Sequence, residues 1–197
     1  MDLTAPGAVD EALHWIGRGV TGLRIFTGGS TKKVDASGLD DRASYPVWEL
    51  MNERGLSMCI QTDASGVPAM KALAARFPNV PVIVDHFSSP DVVGGPDFPG
   101  AAPMFSMAEI PNIYLKFTPI LLLRFEGMEG RLQDFLGLTV EKFGAGRIAW
   151  GSNWPNSPGT LKGILAGARA ALSGLGAEEQ GAILGGTTLR LYRSLAG

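Results

Sequence analysis

Five short apolar runs punctuate the chain: "GLRIF" (22–26), "LSMCIQT" (56–62), "VPVIVDHF" (80–87), "NIYLKFT" (112–118) and "RIAWGS" (147–152). None alternates strictly between apolar and polar. Continuous apolar runs of this length are expected for strands covered on both faces, as in a parallel sheet wrapped by helices. Their starts lie 34, 24, 32 and 35 residues apart, an interval that accommodates a strand, a crossover helix and two loops.

Helical periodicity fills the intervals. Residues 5–18 precede the first strand, with Ala8, Val9, Leu13 and Ile16 on the expected inner face. Residues 45–55 end on Gly55, a residue suited to a left-handed helix stop. In 67–78, Met70, Leu73, Ala74 and Phe77 recur at i, i+3, i+4 and i+7, the spacing of one buried helix face. Residues 128–144 and 159–174 follow the fourth and fifth strands. In 177–195 the Gly185-Gly186 pair predicts two short helices joined by a bend. The stretch 88–104 holds four prolines and three glycines without periodicity and reads as a long loop. Alternating strand and helix predicts an α/β fold in one domain, residues 1–197.

Composition narrows the function classes. Seventeen basic and nineteen acidic residues leave a net charge of −2, which gives no electrostatic case for nucleic acid or an anionic membrane. Hydrophobic residues at 45% against 18% charged argue for a well-buried core rather than disorder. No apolar run reaches the roughly 18 residues of a membrane helix. The single cysteine, Cys59, excludes an internal disulfide and agrees with a cytoplasmic location; within "LSMCIQ" it reads as a buried structural thiol. There is no G-x-G-x-x-G, no G-x-x-x-x-G-K-[ST] and no G-x-S-x-G, so dinucleotide, P-loop and serine-elbow chemistry have no support.

Parallel α/β folds place reactive groups past the carboxyl ends of strands. Those positions hold Arg24, Lys32 and Lys33; Gln61 and Asp63; His86; Lys116 and Thr118; and Ser152 and Asn153. His86 closes an apolar strand and is placed to meet a substrate or a metal. His14 lies mid-helix and reads as structural. The cations suit a carboxylate-bearing small molecule. Lys116, inside an apolar strand, requires a partner or a polar barrel mouth.

Taken together, "GLRIF", "FPNVPVIVDHFSSP", "NIYLKFT", "RIAWGSNWPN" and "GGTTLRLYRSL" resemble the amidohydrolase-related family, in the branch of 2-pyrone-4,6-dicarboxylate lactonase and the sugar-lactone hydrolases. The resemblance implies a partial (β/α)8 TIM barrel, about the last five β/α units, lacking the N-terminal part that carries the family's H-x-H motif. It implies a hydrolase of a carboxylated lactone or similar ring ester. His86, Asn153 and Asp63 would be catalytic, and Arg24, Lys32, Lys33, Gln61, Lys116, Thr118 and Ser152 would bind substrate.

Asn153 stands where the family has Asp, and Asn156 where it has His. An amide keeps the shape but loses charge and basicity, so Asp63 is the carboxylate nominated as substitute base. Two alternatives accompany this reading: a metal-dependent decarboxylase of the same superfamily, and a catalytically impaired or purely ligand-binding descendant. The cofactor is left open. An intact parent is expected to bind one divalent metal such as zinc, with His86 a ligand only if H-x-H is supplied; this chain alone is expected to bind none. The expected partner is a small-molecule carboxylate, with no nucleic acid and no membrane, and with oligomerisation through exposed sheet edges.

Overall fold

Five parallel strands stand side by side in chain order in the computed structural model, which describes residues 1–27, 36–192 and 195. They are β1 (Gly22–Phe26), β2 (Ser57–Gln61), β3 (Val82–Val84), β4 (Ile113–Phe117) and β5 (Ile148–Trp150). Each pairs in parallel with the next. The helices are α1 (Ala8–Gly17), α2 (Tyr45–Arg54), α3 (Val67–Arg76), α4 (Ala102–Phe105), α5 (Pro119–Arg124), α6 (Glu129–Phe143), α7 (Leu161–Ala171), α8 (Ala177–Gly181) and α9 (Thr187–Leu191). Consecutive parallel neighbours joined by helical crossovers make a sector of a β/α barrel wall.

Side chains alternate across a strand, so the register sorts them into two faces. Met58, Ile60, Val82, Val84, Ile113, Leu115, Phe117 and Ile148 belong to the main hydrophobic core with the helices. Cys59, Ile83 and Ala149 are also buried but lie outside that core. They share the opposite, inner face with Arg24, Asp85 and Lys116. The polar chemistry is therefore gathered on one wall.

Several expectations need correcting. Helix α1 rests on Ala8 and Ala12, whose small side chains let it lie close, and Leu13 is turned outward at 38% exposed. The Gly185-Gly186 pair does lie between two short helices, α8 and α9, as expected, but it joins them through a helical turn rather than a break. Residues Ala182–Gly186 form a π-helical turn, and Gly186 keeps right-handed helical angles into α9. The segment after β3 is more than a loop: it contains α4, and Phe98 is buried against Phe125 and Phe135. Strand β3 ends at Val84, short of the expected Phe87, because the backbone turns left-handed at His86.

Candidate active site

Asp85 is the hub of the inner wall. Its side chain is 1% exposed, yet it carries a charge, and three neighbours satisfy it. Arg24 donates through Nε to Oδ2 at 2.8 Å, with Nη2 2.6 Å from the same oxygen. Lys116 donates from Nζ to Oδ1 at 2.5 Å. The Cys59 thiol donates to Oδ1 at 3.2 Å and lies 2.9 Å from the Lys116 ammonium. Gln61 Oε1 accepts from Arg24 Nη2 at 3.0 Å, and the Phe26 ring lies 4.0 Å beneath the guanidinium. Two cations against one carboxylate leave one positive charge in excess.

The electrostatics follow from burial and pairing. Burial works to raise the Asp85 pKa, but Lys116 and then Arg24 outweigh it and hold the carboxyl below its usual range. For Lys116, burial works to lower the pKa, and Cys59 and Asp85 together outweigh it and raise the ammonium above the ordinary lysine value. The Cys59 thiol is pushed up to about 11, first by burial and then by the Asp85 charge. It is thus a neutral thiol at pH 7, and Asp85 supplies the attraction that Lys116 feels.

His86 follows on a strained turn. His86, Phe87, Ser88 and Ser89 all have φ between 52° and 59°, a region that costs side-chain-bearing residues about 1–2 kcal/mol each. Packing and hydrogen bonds hold the turn. Phe87 is fully buried against Phe117 and Phe135, Ser88 Oγ donates to the Thr62 carbonyl, and Ser89 N donates to the His86 carbonyl. Strain of this kind gathers where function fixes a side chain. The His86 ring is buried, and its Nδ1 is 2.7 Å from Thr118 Oγ1. Burial above all lowers its pKa below the usual histidine value, so the ring is neutral at pH 7.

The turn after β5 holds Asn153 at φ 50°, a conformation that Asn tolerates better than most residues. Asn153 Nδ2 donates to Ser157 Oγ at 2.9 Å, and Ser157 N returns a bond to the Asn153 carbonyl. Ser152 Oγ accepts from Trp154 N, and the Trp154–Pro155 bond is cis. Gly151 lies against the Lys116 stem, where an added Cβ would come within 3.3 Å of Cδ.

The remaining expected site residues divide. Asp63 accepts from Ser65 N and Ser65 Oγ and thereby caps a short turn; these hydrogen bonds lower its pKa, which weakens it as a base. Arg24 and Lys116, expected to hold a substrate carboxylate, both engage Asp85, which gives Lys116 the partner its place in an apolar strand requires. Lys32 and Lys33 lie outside the described residues. Asp85 and Ser157 were not among the expected site residues. The Asp85 signal was present in the sequence, since a carboxylate one step before His86 in a buried strand must have a cationic neighbour.

The family model described as Amidohydrolase matches residues 1–194. The chain belongs to the amidohydrolase family. An L-fucono-1,5-lactonase from Burkholderia ambifaria is 26% identical over 177 residues. The match takes in 81% of this chain but 58% of the relative, so the chain spans little more than half of that enzyme's length. A Burkholderia multivorans amidohydrolase solved with bound zinc superposes with a TM-score of 0.79 at 21% identity, over 98% of this chain and 71% of its own. A probable 2-pyrone-4,6-dicarboxylic acid hydrolase from Acinetobacter baumannii, solved with citric acid bound, superposes with a TM-score of 0.78 at 16% identity, over the same shares. The five-stranded sheet is thus the corresponding part of a TIM-barrel amidohydrolase fold.

A metal does not fit the residues present. Among the described residues no three His, Cys, Asp or Glu side chains gather to hold one. Asn153 offers a neutral amide in place of a carboxylate, and the nearby Asp85 is committed to Arg24, Lys116 and Cys59.

Proposed function

We propose that this chain carries part of the active-site wall of a hydrolase acting on a carboxylated lactone or similar ring ester. The observation that carries the reading is one wall with a buried neutral histidine beside a cation-rich cluster bearing one excess positive charge. In ring-ester hydrolysis a carbonyl oxygen gains negative charge as water adds, and a fixed donor there lowers the barrier. His86 takes that donor role. Arg24 and Lys116, held apart by Asp85, supply positive potential for the substrate carboxylate. Gln61 fixes the Arg24 fork, and Ser152 and Thr118 shape the mouth. Lys32 and Lys33, which follow β1 in the sequence, add positive charge.

The attacking water needs a base. Asn153 cannot serve as one, and Asp63 remains the candidate of low basicity. We further propose that additional strands pair with the outer edges of β1 and β5 and bring the family's H-x-H to this wall. The partial coverage of the relatives supports this, as does the difference between five strands and the eight of a closed barrel. The test is acid release from carboxylated lactones by the protein isolated from its own cells, together with its intact mass. Hydrolysis and a mass above 20.8 kDa are expected; a 197-residue species that hydrolyses no lactone would defeat both parts. A second reading, a catalytically impaired descendant, draws its support from the Asn153 amide and its bond to Ser157.

A further inference from the structure

The hydroxyl of Thr118 has been released from the task its position normally sets. Thr118 is the N-cap of α5, where a threonine oxygen usually accepts a backbone amide of the first turn. Here the side chain makes no cap bond. The first helical residue is Pro119, which has no N–H, and the Leu121 amide is taken by the Thr118 backbone carbonyl at 3.0 Å. The hydroxyl instead meets His86 Nδ1 at 2.7 Å, and both residues are buried, Thr118 at 1% and His86 at 6% exposed.

Two hydrogens must be placed in this contact: the one on the hydroxyl and the one on the neutral ring. If Nδ1–H donated to Oγ1, the hydroxyl hydrogen would need a second acceptor. Among the described residues, the only side-chain hydrogen bond of Thr118 is the one to His86. A buried hydroxyl hydrogen without an acceptor is strongly disfavoured. The alternative satisfies both groups: Thr118 donates to Nδ1, and the ring proton resides on Nε2.

We infer that Thr118 is a positioning residue that locks His86 in the Nε2–H tautomer, making the ring a hydrogen-bond donor rather than a metal ligand or a base. Nδ1 spends its lone pair on the hydroxyl, and Nε2 holds a proton. Neither nitrogen has a lone pair free for a cation or for a proton from water. In the lactone reading, on which this consequence rests, His86 is preset to bond the carbonyl oxygen. A metal-dependent decarboxylase would need the opposite ring, with an unprotonated nitrogen facing the metal.

The test is a long-range proton–nitrogen correlation spectrum of the chain labelled with 15N-histidine, recorded at a pH where both rings are neutral. His14 is exposed, and its signals are assigned with His14→Gln. For His86 the expected result is a pyridine-type Nδ1 and a protonated Nε2. Thr118→Ser is expected to keep that pattern. Thr118→Val, which has no hydroxyl, should shift the ring toward Nδ1–H or a mixture. A protonated Nδ1 in the wild type overturns the inference, as does a Thr118→Val spectrum identical to wild type. Should Thr118→Val fail to fold, the wild-type and Thr118→Ser spectra decide alone. The spectrum requires no turnover, so its failure and that of the lactone reading are separate results.

Discussion

Asp85 and Lys116 face each other across neighbouring strands, with Oδ1 2.5 Å from Nζ, on the inner wall they share with Arg24 and Cys59. Ile83 and Ala149, both buried, flank the pair in the sheet. Removing one member strands the other in a poorly solvated place, which is where buried ion pairs become costly. Asp85→Asn is therefore expected to destabilise the fold by about 3 kcal/mol, read as a lower urea midpoint. Pairing it with Lys116→Met should restore part of the loss, because the orphaned ammonium is gone. Additive losses would show that the contact contributes nothing.

Acid should act through the same carboxylate. The folded pKa of Asp85 lies below its ordinary value of 3.8, so its stabilising contribution is present above the ordinary range and lost as pH falls through the folded value. Thermal unfolding from pH 5 downward is expected to show a steeper decline for the wild type than for Asp85→Asn.

Alkali should act through Cys59. Its pKa rises from 9.0 to about 11 on folding. A raised folded value means stability is full below pH 9 and is lost as pH climbs to about 11, because the unfolded chain releases its proton first. Two pH units correspond to about 2.7 kcal/mol. Cys59→Ala should flatten that part of the stability profile, to which the raised pKa of Lys116 contributes in the same direction. An unchanged slope would assign the loss elsewhere.

The turn at Asn153 separates shape from basicity. Its φ of 50° is tolerated by Asn and Asp, so Asn153→Asp should fold normally while restoring a carboxylate. If only the base is lacking, lactone hydrolysis should rise about 100-fold, within the range of general-base catalysis. Asn153→Ala should instead cost about 1 kcal/mol of stability, through the left-handed angle and the lost Ser157 bond. No gain with Asn153→Asp would favour the impaired-descendant reading.

Gly151 controls where Lys116 rests. A Cβ there would press on Cδ and Cγ at 3.3 and 3.4 Å, while the ammonium is held by Asp85. Gly151→Val is expected to push the stem aside and weaken the ion pair. It should then reproduce part of the Asp85→Asn destabilisation with every charged residue still present.

The strands were legible in the sequence because buried parallel strands are written as uninterrupted apolar runs, and their spacing followed from the crossover helices. Short helix α5 was hidden because Ile120–Leu123 extends the apolar run of β4, and Pro119, which starts the helix, reads as a break. His86 was legible as the end of a strand. Asp85, which precedes it in the same apolar run, was not legible as the hub, because strand alternation becomes visible only when Arg24 and Lys116 can be placed opposite it. Cys59 was correctly expected to be buried, but its contact with the ion pair depends on register across three strands. The Asn153–Ser157 bond depends on a turn geometry that no local pattern encodes.

The most direct test of the central claim, that this wall performs ring-ester hydrolysis through His86, is acid release from a panel of carboxylated lactones. It compares the protein isolated from its own cells with the same protein carrying His86→Ala. Hydrolysis by the wild type and a loss of at least about 100-fold in kcat/KM for the variant are expected. Equal rates, or no hydrolysis of any lactone by the wild type, would contradict that claim.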